Sequence, residues 1–277
     1  MSICASCTSF SINSPILSSS SKKPSWLQDH DYVEDFITTV NTFSPKHQTK
    51  YDQIVDISLG KKYANKTILY WGAKSCNDLI IHDAKSAYGT FKNNGIVKLD
   101  TNGNGRLFLQ CPQIYKTKEK GSSKDKSFYR HFHYVIANKD CTLWLPQLYT
   151  HLIVCKRNIR YVLSKLRDTS AVLLNALPAE YYAKDHIPNS YNLHYKSAKK
   201  MSANELQKWL LEVIQLHYPT IHNAIRSKKL AIQDVPIICY CAHESCNASE
   251  LLETELIKKG MHRVDSFPGG MREWSKQ

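Results

Sequence analysis

The first bounds on this 277-residue chain come from what it lacks. No apolar run approaches the ~20 residues that a helix needs to cross a bilayer, so a membrane-spanning helix is not expected. No signal-peptide pattern opens the sequence, and the nine cysteines follow no regular framework. Free thiols in a soluble protein of a reducing, intracellular, cytoplasmic compartment are the expectation. Residues 1–25 hold no Asp, Glu or Arg, and Ser18 to Ser21 are consecutive. That composition reads as a disordered tail. A Ser-rich, acid-poor start also fits an organelle transit peptide loosely, and the missing Arg counts against it.

Acidic residues are in short supply as well: 24 Asp and Glu face 37 Lys and Arg, giving a formal net charge of +13. Such a balance suits an acidic protein or nucleic-acid partner on the basic N-terminal half. Yet the basic residues gather only in short clusters, such as Lys116 to Lys126 and Lys228-Lys229, with no continuous stripe interleaved by aromatics. Nucleic-acid binding is therefore the secondary expectation.

Metal motifs are likewise incomplete. Cys4 and Cys7 form a C-x-x-C pair, but no second pair follows at zinc-ligand spacing. The run Asp100-Thr101-Asn102-Gly103-Asn104-Gly105 copies the first half of a calcium loop, but its twelfth position is Cys111 where a bidentate Glu is needed. An Asn-Gly hairpin turn accounts for the same letters. His131 and His133 alternate on a predicted strand and share a face, and His151 lies on a later one. Gathered together, the three would make a zinc or iron site; apart, they serve the strand surface. No cofactor or metal is assigned.

Tyr32, Phe36, Ile37 and Val40 fall at helical spacing within the segment from Trp26 to Val55. Five runs rich in β-branched and aromatic residues follow, at 67–71, 95–99, 106–110, 132–136 and 150–154. They predict a β-rich domain over 26–156, of unknown task, with an exposed loop at 116–126. Residues 157–277 then form a second domain.

In that second part the unbroken apolar run Val235-Pro236-Ile237-Ile238-Cys239-Tyr240 predicts a strand buried on both faces. Asn247 as cap, with Leu251, Leu252, Leu256 and Ile257 behind it, predicts a helix ending at Gly260. Cys241 sits at the junction, where backbone N–H groups and the helix dipole stabilise an anion. The thiolate, not the thiol, is the nucleophile, so Cys241 is the candidate catalytic residue. Ala242, His243, Glu244, Ser245 and Cys246 would line the bound substrate, their amides cradling its charge. A protonated His243 would raise the thiolate fraction, or else simply face solvent. Cys246 is either a resolving thiol or a small apolar residue packing the helix start. Cys239 is expected in the core.

Three signatures carry a resemblance: Ala171-Val172-Leu173-Leu174-Asn175 leading to Glu180-Tyr181-Tyr182, then His186-Ile187-Pro188-Asn189-Ser190-Tyr191-Asn192-Leu193, and last the Cys241 loop with Phe267-Pro268-Gly269-Gly270-Met271-Arg272-Glu273-Trp274. In order and spacing they resemble a rhodanese-like domain over roughly residues 158 to 277. The resemblance implies an α/β fold with a central parallel sheet flanked by helices. It also implies sulfurtransferase activity through a persulfide on Cys241, with a small sulfur donor and a thiol acceptor. The family usually has Asp and Arg where Asn175 and Leu177 stand, and an Arg where Cys246 stands. Those departures make thiosulfate a poor natural donor and keep open a catalytically idle binding or scaffold module. A related phosphatase would need a loop one residue longer, closed by an Arg. The abundance of Lys, Asn, Ile and Tyr also resembles proteins of large DNA viruses with AT-rich genomes.

Overall fold

The computed structural model describes residues 36–118 and 123–277. The expected tail, the Cys4/Cys7 pair and the first part of the segment expected to be an N-terminal helix lie outside these residues. The chain divides into two units, one running to Asn77 and from His82 to Ile153, the other comprising Asp78–Ile81 with Val154–Gln277.

In the first unit the strand-rich reading holds. The helical stretch 36–39 is the described remnant of the predicted helix, and Phe36, Ile37 and Val40 pack on the core as their spacing requires. Strands β1 (Gln53–Ser58) and β4 (Asn104–Leu109) pair with each other. β2 (Thr67–Gly72), β3 (Asn94–Lys98), β7 (His131–Ile136) and β8 (Tyr149–Leu152) form an antiparallel sheet in the order β3-β2-β7-β8. Leu69, Trp71 and Val135 from its middle strands meet Tyr88 of the short helix α1 (Ala84–Tyr88) and Phe91. The polar segment at 116–126 is bounded by a small ribbon of β5 (Lys116–Lys118) and β6 (Asp125–Ser127).

One local expectation is corrected. Asp100 to Gly105 does form a turn, with the Asp100 carboxylate accepting the amides of Asn102 and Asn104 at 2.8 Å each. It is not a hairpin, because β3 bonds to β2 whereas β4 bonds to β1. The turn passes the chain from one sheet to the other, a partner choice that no dipeptide encodes.

The second unit is α/β. Its sheet contains β9 (Cys155–Lys156), β10 (Val172–Asn175), β11 (Tyr191–Asn192), β12 (Ile237–Tyr240) and β13 (Val264–Phe267). The order is β11-β10-β12-β13-β9, parallel throughout. β9 starts just ahead of the boundary at 157, because a two-residue edge strand leaves no pattern to read. Helices α2 (Ile159–Arg167), α3 (Ala179–Lys184), α4 (Tyr195–Lys200), α5 (Ala203–His217), α6 (Pro219–Arg226), α7 (Ala248–Lys258) and α8 (Gly270–Trp274) occupy the connections. Their starts follow local chemistry: Asn158 caps α2 through the Tyr161 amide, and Ser202 with Glu205 makes a reciprocal capping box on α5. Val162, Leu173, Ile238, Tyr240 and Phe267 share one core cluster. From β10 the chain steps outward to β11 and returns on the other side to β12. The carboxyl ends of β10 and β12 thus flank the point where strand order reverses, the place where open parallel sheets bind ligands.

Candidate functional site

Cys241 is the first residue past β12 at that reversal point. All four β12 residues are buried, so the strand is a fixed base for the loop that leaves it. The chain then turns sharply, the Cys246 amide donating to the His243 carbonyl at 2.9 Å, before entering α7. Asn247 stands at the cap position, but its side chain makes no cap bond, and the expected Asn cap is corrected to a bare one. The amide cradle expected over 242–246 is likewise reduced at Cys246, whose N–H is spent inside the turn. Glu244 and Ser245 are exposed at the loop's crest, and Ala242, His243 and Cys246 are half-buried.

The Cys241 sulfur is 1% exposed with its residue. Its thiol lies 3.2 Å from the Cys246 carbonyl oxygen, 3.6 Å from the His243 carbonyl oxygen and 3.6 Å from Ser249 Oγ. Burial, followed by the hydrogen bond it gives to Cys246, pushes the Cys241 thiol above its ordinary range, and the Ser249 hydroxyl and amide pull the other way. Cys246 behaves oppositely. Although burial raises it, the hydrogen bond from Cys241 and the amides of Ala248 and Ala242 outweigh burial and hold its thiol below the ordinary range. The two thiols are thus moved in opposite directions.

This division was not legible in the residue string. Depth sets it: the strand end draws Cys241 below the surface, whereas Cys246 is half-buried on the loop. His243 takes part through its carbonyl, and its Nδ1 is buried without a hydrogen-bond partner. Cys239 lies in the core as expected, its thiol pushed well up by burial.

The upstream signatures converge underneath. The Tyr240 hydroxyl accepts the Ile187 amide at 3.0 Å and pairs with Ser190 Oγ at 2.7 Å. Tyr182 donates to the Ser190 carbonyl at 2.6 Å and stacks on His186. Asn175, fully buried beside Tyr240 in the register, accepts the Leu177 amide at 2.9 Å. These residues hold the loop's base and place no charge near the sulfur. The Gly269-Gly270 turn has a sharper task. The Met271 and Arg272 amides donate to the carbonyls of Cys241 and Ala242 at 3.0 and 2.9 Å. Gly270 has φ +52°, and a Cβ there would sit 2.2 Å from the Cys241 carbonyl oxygen. Sequence reasoning missed Ser249 and Glu253. Glu253 is buried on α7, accepts from Ser266, and burial raises its carboxyl to about 8.

In the first unit, the three candidate histidines do not gather. His131 and His133 sit with ring centroids 4.7 Å apart on one face of β7. His131 Nε2 meets Tyr115 Oη at 2.9 Å, and His133 meets Thr150 Oγ1 and Tyr88 Oη at 2.9 Å each. His151 pairs in register with Phe132 and stacks on it, which puts it on the opposite face. Hydrogen bonding and side alternation thus account for the histidines that composition suggested as ligands. Burial lowers His131 and His151 to about 4 and His133 further.

Residues 159–277 match the family model of the rhodanese-like domain. Among solved structures, the chain is similar to a human single-domain sulfurtransferase at 17% identity, covering 44% of this chain and 96% of that one with a TM-score of 0.31. A single-domain sulfurtransferase of Saccharomyces cerevisiae is similar at 14% identity, with 44% and 89% covered and a TM-score of 0.31. No curated protein matches. Among the described residues, no helix is long and apolar enough to cross a membrane.

Proposed function

Because residues 159–277 form a rhodanese-like domain, we propose that this protein transfers sulfane sulfur through a persulfide on Cys241. The observation that carries the reading is the seat of Cys241 at the strand-order reversal, its sulfur addressed by the hydroxyl and amide of Ser249 in the first turn of α7. A helix start supplies partial positive charge where the transferred sulfur would bring negative charge.

In the first step Cys241 gives its proton to solvent, and its thiolate attacks the outer sulfur of a small persulfide donor, R–S–SH. The donor S–S bond breaks, R–S⁻ leaves, and Cys241–S–SH forms. In the second, the thiolate of a small acceptor attacks the terminal sulfur and restores Cys241–S⁻, which is reprotonated from solvent. Without an Arg in the loop, an oxyanionic donor such as thiosulfate finds no fixed cation there. A persulfide donor is the better match.

A second reading, a binding module on the same fold, draws on the near-complete burial of Cys241. Intact mass after incubation with glutathione persulfide, and separately with thiosulfate, distinguishes the two. A gain of one sulfur, or a release of sulfide, that disappears in Cys241→Ser supports the transferase. Neither from either donor, with Cys241 inert to alkylation before any donor is added, supports the binding module.

A further inference from the structure

The loop contains a second sulfur that the transfer cycle does not use. Cys246 is half-buried at the mouth of the turn, and Cys241 lies beneath it. The turn closed by the Cys246 amide on the His243 carbonyl folds the loop back on itself, which brings the Cys246 carbonyl to 3.2 Å from Cys241 Sγ. Burial raises the Cys246 thiol, and its interactions with Cys241, Ala248 and Ala242 lower it by more than burial raises it. Cys239, the remaining thiol of this region, is fully buried in β12 with its charged form strongly disfavoured.

Resting on the persulfide reading above, we propose that Cys246 is a catalytic nucleophile of this loop: it attacks Sγ of the Cys241 persulfide, closes a Cys241–Cys246 disulfide and expels hydrosulfide. Bonds and electrons balance without an added oxidant. The Cys246 thiol gives its proton to solvent, the Sγ–S bond of the persulfide breaks, the Sγ–Sγ bond forms, and the terminal sulfur leaves as HS⁻ carrying the electron pair. The sulfane sulfur is the species reduced, and the two loop cysteines are oxidised. Two equivalents of a small thiol then reopen the disulfide by exchange, returning both cysteines and yielding a small-molecule disulfide.

Two features favour this path. The turn holds residue 246 against Cys241, its carbonyl oxygen 3.2 Å from Sγ, so a small loop movement brings the two sulfurs together. Of the two thiols, Cys246 is the one whose pKa is lowered, which raises its thiolate fraction. A persulfide formed on Cys241 thus has two fates: an outside thiol takes its terminal sulfur, or Cys246 discards it as hydrosulfide. When acceptor thiol is scarce, the domain discards one sulfur as hydrosulfide and rests as the disulfide until thiol returns.

The test loads the full chain with glutathione persulfide without reductant, removes the donor, and follows intact mass and released sulfide together. The tryptic peptide 230–258, which carries Cys239, Cys241 and Cys246, locates the change. Wild type is expected to lose the mass of two hydrogens and release about one equivalent of sulfide. Cys246→Ser is expected to keep one added sulfur on Cys241 and release none until a thiol is supplied, and Cys241→Ser is expected to show neither change. A wild type that holds its extra sulfur as long as Cys246→Ser overturns the role of Cys246 and leaves the persulfide step standing. Absence of added sulfur and of released sulfide in both proteins overturns both.

Discussion

Acidification should unfold the first unit through its buried histidines, and the size of the effect follows from burial. His131 and His151 are held near pKa 4, because in the folded state their rings have lost the water that would solvate a cation. In the unfolded chain each returns to about 6.5. A folded pKa below the unfolded one gives stability that is full above about 6.5 and lost as pH falls toward 4, since the unfolded state binds the proton first. Between pH 7 and 5 each ring costs about 2 kcal/mol, so the pair costs about 4 kcal/mol. His133, shifted in the same direction, adds to the loss. That is a large part of the roughly 5–15 kcal/mol typical of a domain. Urea unfolding at a series of pH values, read through the fluorescence of fully buried Trp71, gives the loss directly. The variant His151→Phe isolates one ring. His151 stacks on Phe132 with its Nδ1 unpartnered, so a phenyl ring keeps the packing and removes the titration. The variant should retain about 2 kcal/mol more of its stability across the same pH change. An equal loss in both proteins, or a His151 imidazole resonance titrating above pH 6, would refute the reasoning.

Three further outcomes concern the second unit. Tyr240→Phe removes the hydroxyl that receives the Ile187 amide and pairs with Ser190, so urea melting should show a loss of about 1–3 kcal/mol; no measurable loss would mean the loop base does not depend on that hydroxyl. Gly270→Ala forces a side chain into left-handed backbone and onto the Cys241 carbonyl, so it should cost at least about 1–3 kcal/mol and speed alkylation of Cys241. Unchanged melting and unchanged alkylation would show that α8 does not brace the loop. Glu253 has its pKa raised from 4.5 to about 8, so the folded state binds its proton first and stability falls with rising pH across that window, by about 1.4 kcal/mol per unit. Glu253→Gln should flatten this slope, measured as the urea midpoint at pH 5, 6, 7 and 8, and a slope identical to wild type would count against a protonated Glu253.

Several elements were readable from residue order alone because their causes are local. The five N-terminal strands follow from β-branched and aromatic runs, the α5 start from Ser202 and Glu205, and the β12-to-α7 junction from an apolar run meeting a helical pattern. The rhodanese-like signatures located the nucleophile candidate for the same reason: a strand, a tight loop and a helix start are encoded within a dozen residues. Pairing was not readable. That β4 leaves β3 for β1, and that His151 turns away from His131 and His133, depends on register between segments distant in sequence.

The residue string by itself determined the second unit's α/β layout, the seat of Cys241 at a strand end and the presence of a second thiol five residues on. The tertiary structure alone decided which thiol is raised and which is lowered, since that depends on depth and on the groups packed around each sulfur. It also decided why Gly270 is glycine and why Tyr240 is tyrosine, because both answer to atoms brought near by the fold. Local propensity writes the elements into the sequence, whereas electrostatics and contact at a site depend on neighbours that only folding brings together.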